Sequence, residues 1–241
     1  MQPILTLDIG NTRIKYAVFN EKGVITASGI WNDQSVLEYG QLQKMISSVR
    51  IEFPSEIQKT MQPGDTEFSG ANCRDITVTI QNPETLGKDR LAAAYGAFKL
   101  AGKKDVLVID AGTCITYDYV SADGIYSGGA ISPGLLLRFK AMNSFTAKLP
   151  DMGSQNWEDI WNEMSLKDIG NQTSLALISG GVQGLIDEIN ARIQRWLSIN
   201  NGGAVYLTGG DAPFLAKHLK NQIFVEPMLV HWGLYYAAIL A

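Results

Sequence analysis

The sequence predicts an α/β protein made of two similar halves, and three observations carry that prediction. Strand-like runs alternate with helix-periodic segments along the chain. An apolar strand that ends in Asp-x-Gly and feeds a second strand occurs twice. It appears first in "LTLDIGNTRIKYAVFN" from residue 5 and again in "DVLVIDAGTCITYDYV" from residue 105, so that at an offset of 102 Asp8 falls on Asp110 and Gly10 on Gly112. A third glycine turn, "TGGD" at 208–211, closes another buried strand. The halves are placed at 1–104 and 105–241, with no low-complexity linker between them.

Taken in order, the first strands are expected at 4–8, 13–20 and 24–30, broken by a turn at Gly10 and Asn11 and by the "EKG" turn. A helix is expected over 36–46, with Leu42 and Met45 on its inner face, and a strand over "ITVTI", 76–80. "NPETLG" punctuates before a helix at 88–101, which carries Leu91, Ala94, Tyr95, Phe98 and Leu100 and closes at Gly102. After the second strand pair, "GGAISPGL" reads as a glycine-rich loop leading into a helix that runs to about 147. The polar, Trp-bearing segment 151–168 reads as a mobile connection with one helical turn. A long helix over 173–198 buries Ile178, Val182, Leu185, Ile189 and Ile193. A buried strand and a short helix follow "AVYLTGGD", and the apolar tail "LVHWGLYYAAILA" forms a helix packed across the body or at a partner surface.

Composition bounds the function. Hydrophobic residues make up 46% of the 241 and charged residues 18%, which marks a globular chain. The formal charge is -4 with no basic block, against a protein that grips nucleic-acid backbones. Cys73 and Cys114 form neither a Cys-x-x-Cys nor a Cys/His cluster, against a disulfide framework or structural zinc. The chain opens on a strand without a basic leader, and no uncharged apolar run is long enough to span a membrane. A cytoplasmic protein with no membrane partner is the expectation. His218 and His231 sit in no ligand-like spacing and read as structural, as does Cys114.

The glycine turns fit phosphate chemistry. Backbone N–H groups unobstructed by side chains, with a hydroxyl such as Thr12, donate to phosphate oxygens. Lys15 adds a point charge. Asp8 alone would repel a phosphate by about 1 kcal/mol at ~4 Å in water, and a bridging Mg²⁺ reverses the sign. The second copy offers Asp110, Gly112 and Thr113, and the backbone of Gly209 and Gly210 can lie flat on an adenine ring.

Two phosphate hairpins followed by an adenosine turn resemble the actin-like kinase superfamily. Within it the chain resembles the type III pantothenate kinases over nearly its whole length. The matching segments are "DIGNTRIK" (8–15), "LGKDR" (86–90), "DAGTCIT" (110–116), "GGAISPGL" (128–135) with "FTAKLP" (145–150), "GNQTSLALISGG" (170–181) and "TGGD" (208–211). The resemblance implies two actin-like (ribonuclease H-like) domains with mixed sheets flanked by helices and ATP in the cleft between them. It implies a homodimer that moves the γ-phosphoryl of ATP onto pantothenate, using Mg²⁺ and a monovalent cation, potassium or ammonium. Asp8, Ile9, Gly10, Asn11, Thr12, Arg13 and Lys15 would form the first ATP loop, with Gly112, Thr113, Gly209 and Gly210 completing the nucleotide site. Gly87, Lys88, Asp89 and Arg90 would line the pantothenate site with Asp89 as proton acceptor, Thr173 would contact pantothenate, and Asp110 would bind the monovalent cation.

The residues also leave plainer roles open. Asp89 suits the first turn of a helix as an acid facing the helix dipole, and Thr173 suits a helix cap. The chain departs from the family where Ile80 stands near a usual tyrosine, and where "TSLAL" replaces Thr-x-Glu-Ala. The alternatives to a pantothenate kinase are a non-catalytic nucleotide-binding regulator on the same fold and a kinase for another alcohol or acid.

Overall fold

The computed structural model describes residues 2–10, 13–48 and 52–240. Its first sheet contains β1 (Ile4–Ile9), β2 (Ile14–Phe19), β3 (Ile25–Ile30), β4 (Gln43–Ser48) and β5 (Thr66–Glu67), in the order β3-β2-β1-β4-β5. β1 pairs antiparallel with β2 and parallel with β4, so the sheet is mixed. Alternation along β1 explains why it is central. Leu5, Leu7 and Ile9 join Ile14, Val18, Trp31, Ile46 and Ile57 in one core cluster, packed by α1 (Asp33–Tyr39) and α2 (Ser55–Gln58). Ile4 packs instead into a second cluster, with Ala17, Phe19, Trp232 and Tyr235, and strand alternation puts Thr6 and Asp8 on that side too.

The expected helix over 36–46 is a correction. α1 starts at Asp33, where Asn32 caps it by accepting from Ser35 N, and ends at the C-cap Gly40. Leu42 follows it, and Met45 lies in β4, opposite Thr6 of β1. Pairing with the central strand β1 outweighs the local helical spacing, which tertiary context routinely does. Lys44 enters the interior there, its ammonium donating to the carbonyls of Gly40, Leu42 and Thr60 and to Asp65.

The second sheet contains β6 (Thr77–Val78), β7 (Val106–Ala111), β8 (Cys114–Val120), β9 (Ile125–Pro133), β10 (Ala204–Thr208) and β11 (Phe224–Val225). Its order, β11-β10-β7-β8-β9-β6, read from β9 repeats that of the first sheet strand for strand, with β6 added outside. The internal repeat is therefore structural as well as sequential. β6 is shorter than the expected 76–80 strand. The glycine-rich segment 128–133 is strand rather than loop, with Gly128 at φ +93 inside β9.

Helix α3 (Lys88–Leu100) matches its expected span, and Gly102 terminates it at φ +68. It packs on α9 (Leu229–Leu240), the apolar tail, with backbones nearly touching. A Cβ on Gly233 would lie 1.8 Å from the Ala92 carbonyl oxygen, and one on Gly96 2.5 Å from that of Leu229. Only glycine permits that approach.

Helix α4 (Leu135–Ser144) stops short of 147. The 151–168 segment folds α5 (Trp157–Glu163), fixed by burying Trp161 edge-on to His218, so it is more than one turn in a connection. The long helix is divided into α6 (Thr173–Ile178), a π-helical turn at Ser179–Gln183 and α7 (Gly184–Ile199). The extra residue per turn falls at "SGGVQ", where Gly181 sits against Phe139: a Cβ there would be 2.4 Å from its ring. All five expected inner-face residues are buried. After β10 comes the short α8 (Ala212–Leu215).

The chain divides into two compact units, one of Met1–Val108, Asp118–Gly128 and Met228–Ala241, the other of Ile109–Tyr117 and Gly129–Pro227. Among the described residues no helix is long and apolar enough to cross a membrane.

Candidate active site

In the first unit the β1–β2 turn is closed by Gly10 N donating to Arg13 O at 3.1 Å, which draws the chain in so far that a Cβ on Gly10 would lie 3.3 Å from the same oxygen. Asp8 and Lys15 stand directly opposite each other across the two strands. Arg13 and Lys15 are exposed, and Asn11 and Thr12 lie outside the described residues. Beneath the turn the buried Thr6 hydroxyl donates to Ala17 O at 3.1 Å and lies 2.8 Å from Nδ1 of His231 on α9. Because that hydroxyl proton is used, Nδ1 donates, and Nε2 is left as a buried acceptor without a partner among the described residues. Burial first, then the nearby Lys15 charge, lowers the His231 pKa to about 3.

The Gly-Lys-Asp-Arg segment opens α3. Gly87 is the N-cap, and a Cβ there would sit 2.6 Å from Oδ1 of Asp89, so glycine is needed to let the carboxylate fold back. That Oδ1 accepts the backbone N–H of Arg90 at 2.8 Å. Lys88 is ion-paired to Glu67. A cavity of about 380 Å³ opens beside it, walled by Ile76, Val78, Pro83, Leu86 and Leu91, with Ser69 and Glu84 among its polar groups. Ile80 lies against Gly128, whose Cβ would be 3.1 Å from its Cγ2.

The Arg90 side chain enters a network that the motifs do not reveal. Its Nη2 donates to Oδ1 of Asp118 at 2.6 Å and its Nε to Oδ2 at 3.3 Å, while the Tyr126 hydroxyl donates to the same Oδ1 at 2.6 Å. Asp118 is buried to 1% exposure. Burial acts to lower the Arg90 pKa, but the hydrogen bonds and charge of Asp118 outweigh it and hold the guanidinium above its ordinary value. Burial, reinforced by the Asp118 charge, pushes the Tyr126 hydroxyl up. The available sequence signal is the carboxylate inside the otherwise uncharged strand "CITYDYV".

In the second unit three glycine positions converge on the end of β7. Gly112 N donates to Cys114 O and Gly134 N to Thr113 O, both at 3.0 Å, so the 112–113 turn abuts the start of the ten-residue α4. A Cβ on Gly134 would lie 2.2 Å from the Gly112 carbonyl. Gly209, at φ +95, comes so close that its Cβ would be 2.3 Å from the Ala111 carbonyl oxygen and 2.5 Å from Oδ1 of Asp110. Asp211 N anchors the same turn on Ala111 O at 3.0 Å. Among the described residues, its chain neighbours aside, nothing lies within 4 Å of a Cβ placed on Gly210, which leaves its backbone open on that side. Asp110, Gly112, Thr113, Gly209 and Gly210 are thus brought together around a cradle fit for phosphate and a ring.

Thr173 is exposed as the first residue of α6. The cap position belongs to Gln172, which makes no side-chain capping bond, so the cap role for Thr173 is not realised. Behind β8 and β9, Glu188 accepts from Tyr117 and Ser132 and pairs with Arg138 and Arg192. Burial works to raise its pKa, but the bonds from Ser132, Arg138 and Tyr117 hold it below the ordinary value. This network fastens α4 and α7 to the strands leading from the cradle.

Among the described residues no cluster of three His, Cys, Asp or Glu side chains could hold a metal unaided. A divalent ion here would need phosphate oxygens as co-ligands, which is the usual arrangement for Mg²⁺.

A family model described as type III pantothenate kinase matches residues 4–195. The type III pantothenate kinase of Flavobacterium psychrophilum is 39% identical over 232 residues, covering 92% of this chain and 93% of that protein. The one from Flavobacterium johnsoniae is 38% identical over 239 residues, covering 92% of each. A Campylobacter jejuni crystal structure, described as a Baf family transcriptional activator, superposes with a TM-score of 0.64 at 24% identity, covering 97% of this chain and 96% of that one. The Clostridium difficile activator of 2-hydroxyisocaproyl-CoA dehydratase, with bound ADPNP, gives 0.54 at 14% identity, covering 99% and 96%, which establishes a shared fold of the actin-like ATPase and kinase type. With its sequence matched over most of its length and its sheets repeated in order, the chain belongs to the type III pantothenate kinase family.

Proposed function

We propose that the protein phosphorylates pantothenate with ATP to give 4'-phosphopantothenate, the first step toward coenzyme A. Membership of the family is the observation that carries this reading, and the fold-back of Asp89 at the head of α3 supports it. The half at 1–104 would supply the first phosphate loop and the substrate segment, and the half at 105–241 the second loop and the adenosine turn.

Each residue has a role that its chemistry can perform. Gly10, Gly112 and Thr113, with Asn11 and Thr12 of the first loop, would donate to phosphate oxygens, and Lys15 and Arg13 would offset their charge. Asp8 would share a Mg²⁺ ion with the phosphates, and that ion would supply positive charge to offset the negative charge gathering on the transferred group. Asp110, at the end of β7 against the Gly209 turn, would bind the monovalent cation. The adenine would lie on Gly209 and Gly210. A primary alcohol is a weak nucleophile. Asp89, with Oδ1 engaged by the Arg90 N–H, would use Oδ2 to orient the hydroxyl and take its proton as oxygen bonds to the γ-phosphorus and the bond to ADP breaks. Gly87, Lys88, Arg90 and Thr173 would bind pantothenate, with the apolar cavity beside Lys88 accepting its aliphatic body. A homodimer working in the cytoplasm, with potassium or ammonium at Asp110, completes the reading.

The test is coupled ADP release with ATP, Mg²⁺ and pantothenate, in potassium and in sodium, for wild type and Asp89→Asn. The expected result is pantothenate-dependent turnover favoured by potassium and at least about 100-fold slower in the variant, the lower size for loss of a general base. Turnover that Asp89→Asn leaves unchanged would remove the proton-acceptor role.

A further inference from the structure

We propose that Asp118 is a positioning residue for the substrate end of the site, fixing Arg90 so that the acceptor's carboxylate is bound in one orientation. The inference rests on the pantothenate kinase reading. Arg90 and Asp89 are neighbours on the first turn of α3, so their side chains diverge by about 100°. Left to itself, an arginine at such a position has many rotamers, and a ligand would have to freeze one of them. Here one edge of the guanidinium, Nε and Nη2, is held by both oxygens of Asp118. Asp118 cannot swing, because it is buried and Oδ1 also accepts from Tyr126. The bonds to Asp118 use Nε and Nη2, so the end-on edge, with one N–H from Nη1 and one from Nη2, would be the donor pair offered to the ligand's carboxylate.

The same clamp reaches the proton acceptor. The Arg90 N–H that holds Oδ1 of Asp89 belongs to the residue whose side chain Asp118 fixes, so the pitch of the first turn and the aim of Oδ2 are set together. A purely electrostatic view predicts the opposite effect: Asp118 neutralises Arg90, so its removal should strengthen the grip on an anion. The geometric clamp and the charge effect thus differ in sign at one measurable quantity, the KM for pantothenate.

The experiment measures kcat and both KM values for wild type, Asp118→Asn, Arg90→Lys, the double variant and Tyr126→Phe, with thermal midpoints alongside. The expected result for Asp118→Asn is a KM for pantothenate raised about tenfold or more, with the KM for ATP within about twofold; the double variant should be no worse than the poorer single, as residues acting as one unit are non-additive. Tyr126→Phe, which leaves the ion pair in place, should raise the pantothenate KM about two- to fivefold, in line with loss of one hydrogen bond to a charged group. An unchanged or lowered pantothenate KM in Asp118→Asn overturns the proposal, as does an equal rise in both KM values. Should Asp118→Asn fail to fold, Tyr126→Phe decides: no selective effect on pantothenate overturns it. Wild type that turns over while these variants keep wild-type KM values sinks only this inference, whereas wild type without pantothenate-dependent turnover sinks the function itself.

Discussion

His231 gives the fold a specific sensitivity to acid. In the folded chain its pKa is about 3, against 6.5 for the free side chain, because it is buried and lies near the Lys15 charge. Between those two values the unfolded chain binds a proton that the folded chain refuses. Stability therefore rises with pH across the window and is lost as pH falls through 6.5, levelling off near 3. At about pH 5, roughly 1.5 units below the unfolded pKa, the loss is ~2 kcal/mol at 1.36 kcal/mol per unit. For a chain of this size that corresponds to a thermal midpoint ~4–8 °C lower. The control is His231→Asn, which keeps a donor near Thr6 and cannot titrate. Thermal unfolding of both proteins at about pH 7.5 and about pH 5 isolates the effect, since His218, whose pKa burial also lowers, titrates equally in each. Wild type should lose more than the variant by the stated amount. Equal losses would refute the reasoning that the buried imidazole is neutral.

Two further substitutions probe other joints of the structure. Lys44→Met leaves Asp65 and three carbonyls without the buried ammonium they share, and should destabilise the protein by about 3–5 kcal/mol in urea unfolding; a loss under about 1 kcal/mol would mean that the ion does not organise the β4 entrance. Gly209→Ala drives a Cβ into the Ala111 carbonyl and Asp110 at a φ of +95, and should raise the KM for ATP about tenfold or more while the pantothenate KM stays within about twofold; an unchanged ATP KM would separate this turn from the nucleotide.

The sequence made the repeat legible because its signal is local. A strand, an aspartate and a glycine turn recur in one short window, and both sheets follow the same order around them. The α3 helix and the TGGD turn were readable for the same reason, since Gly102 and Gly209 take positive φ values that glycine advertises. What escaped depends on distant partners. Met45 is strand because β1 lies beside it, and Trp161 fixes a helix in a polar segment because His218 covers it. The role of Asp118 is invisible until Arg90 and Tyr126 are seen around it. A side chain whose partner is 28 residues away leaves no periodic trace.

The most direct test of the central claim is the identity of the product. Purified protein with ATP, Mg²⁺, potassium and pantothenate should yield, by phosphorus NMR, a phosphomonoester on the primary hydroxyl of pantothenate, in equal amount to the ADP formed. ADP without that ester, or nucleotide binding without either product, would contradict the account and leave the glycine turns serving a different acceptor or a regulator.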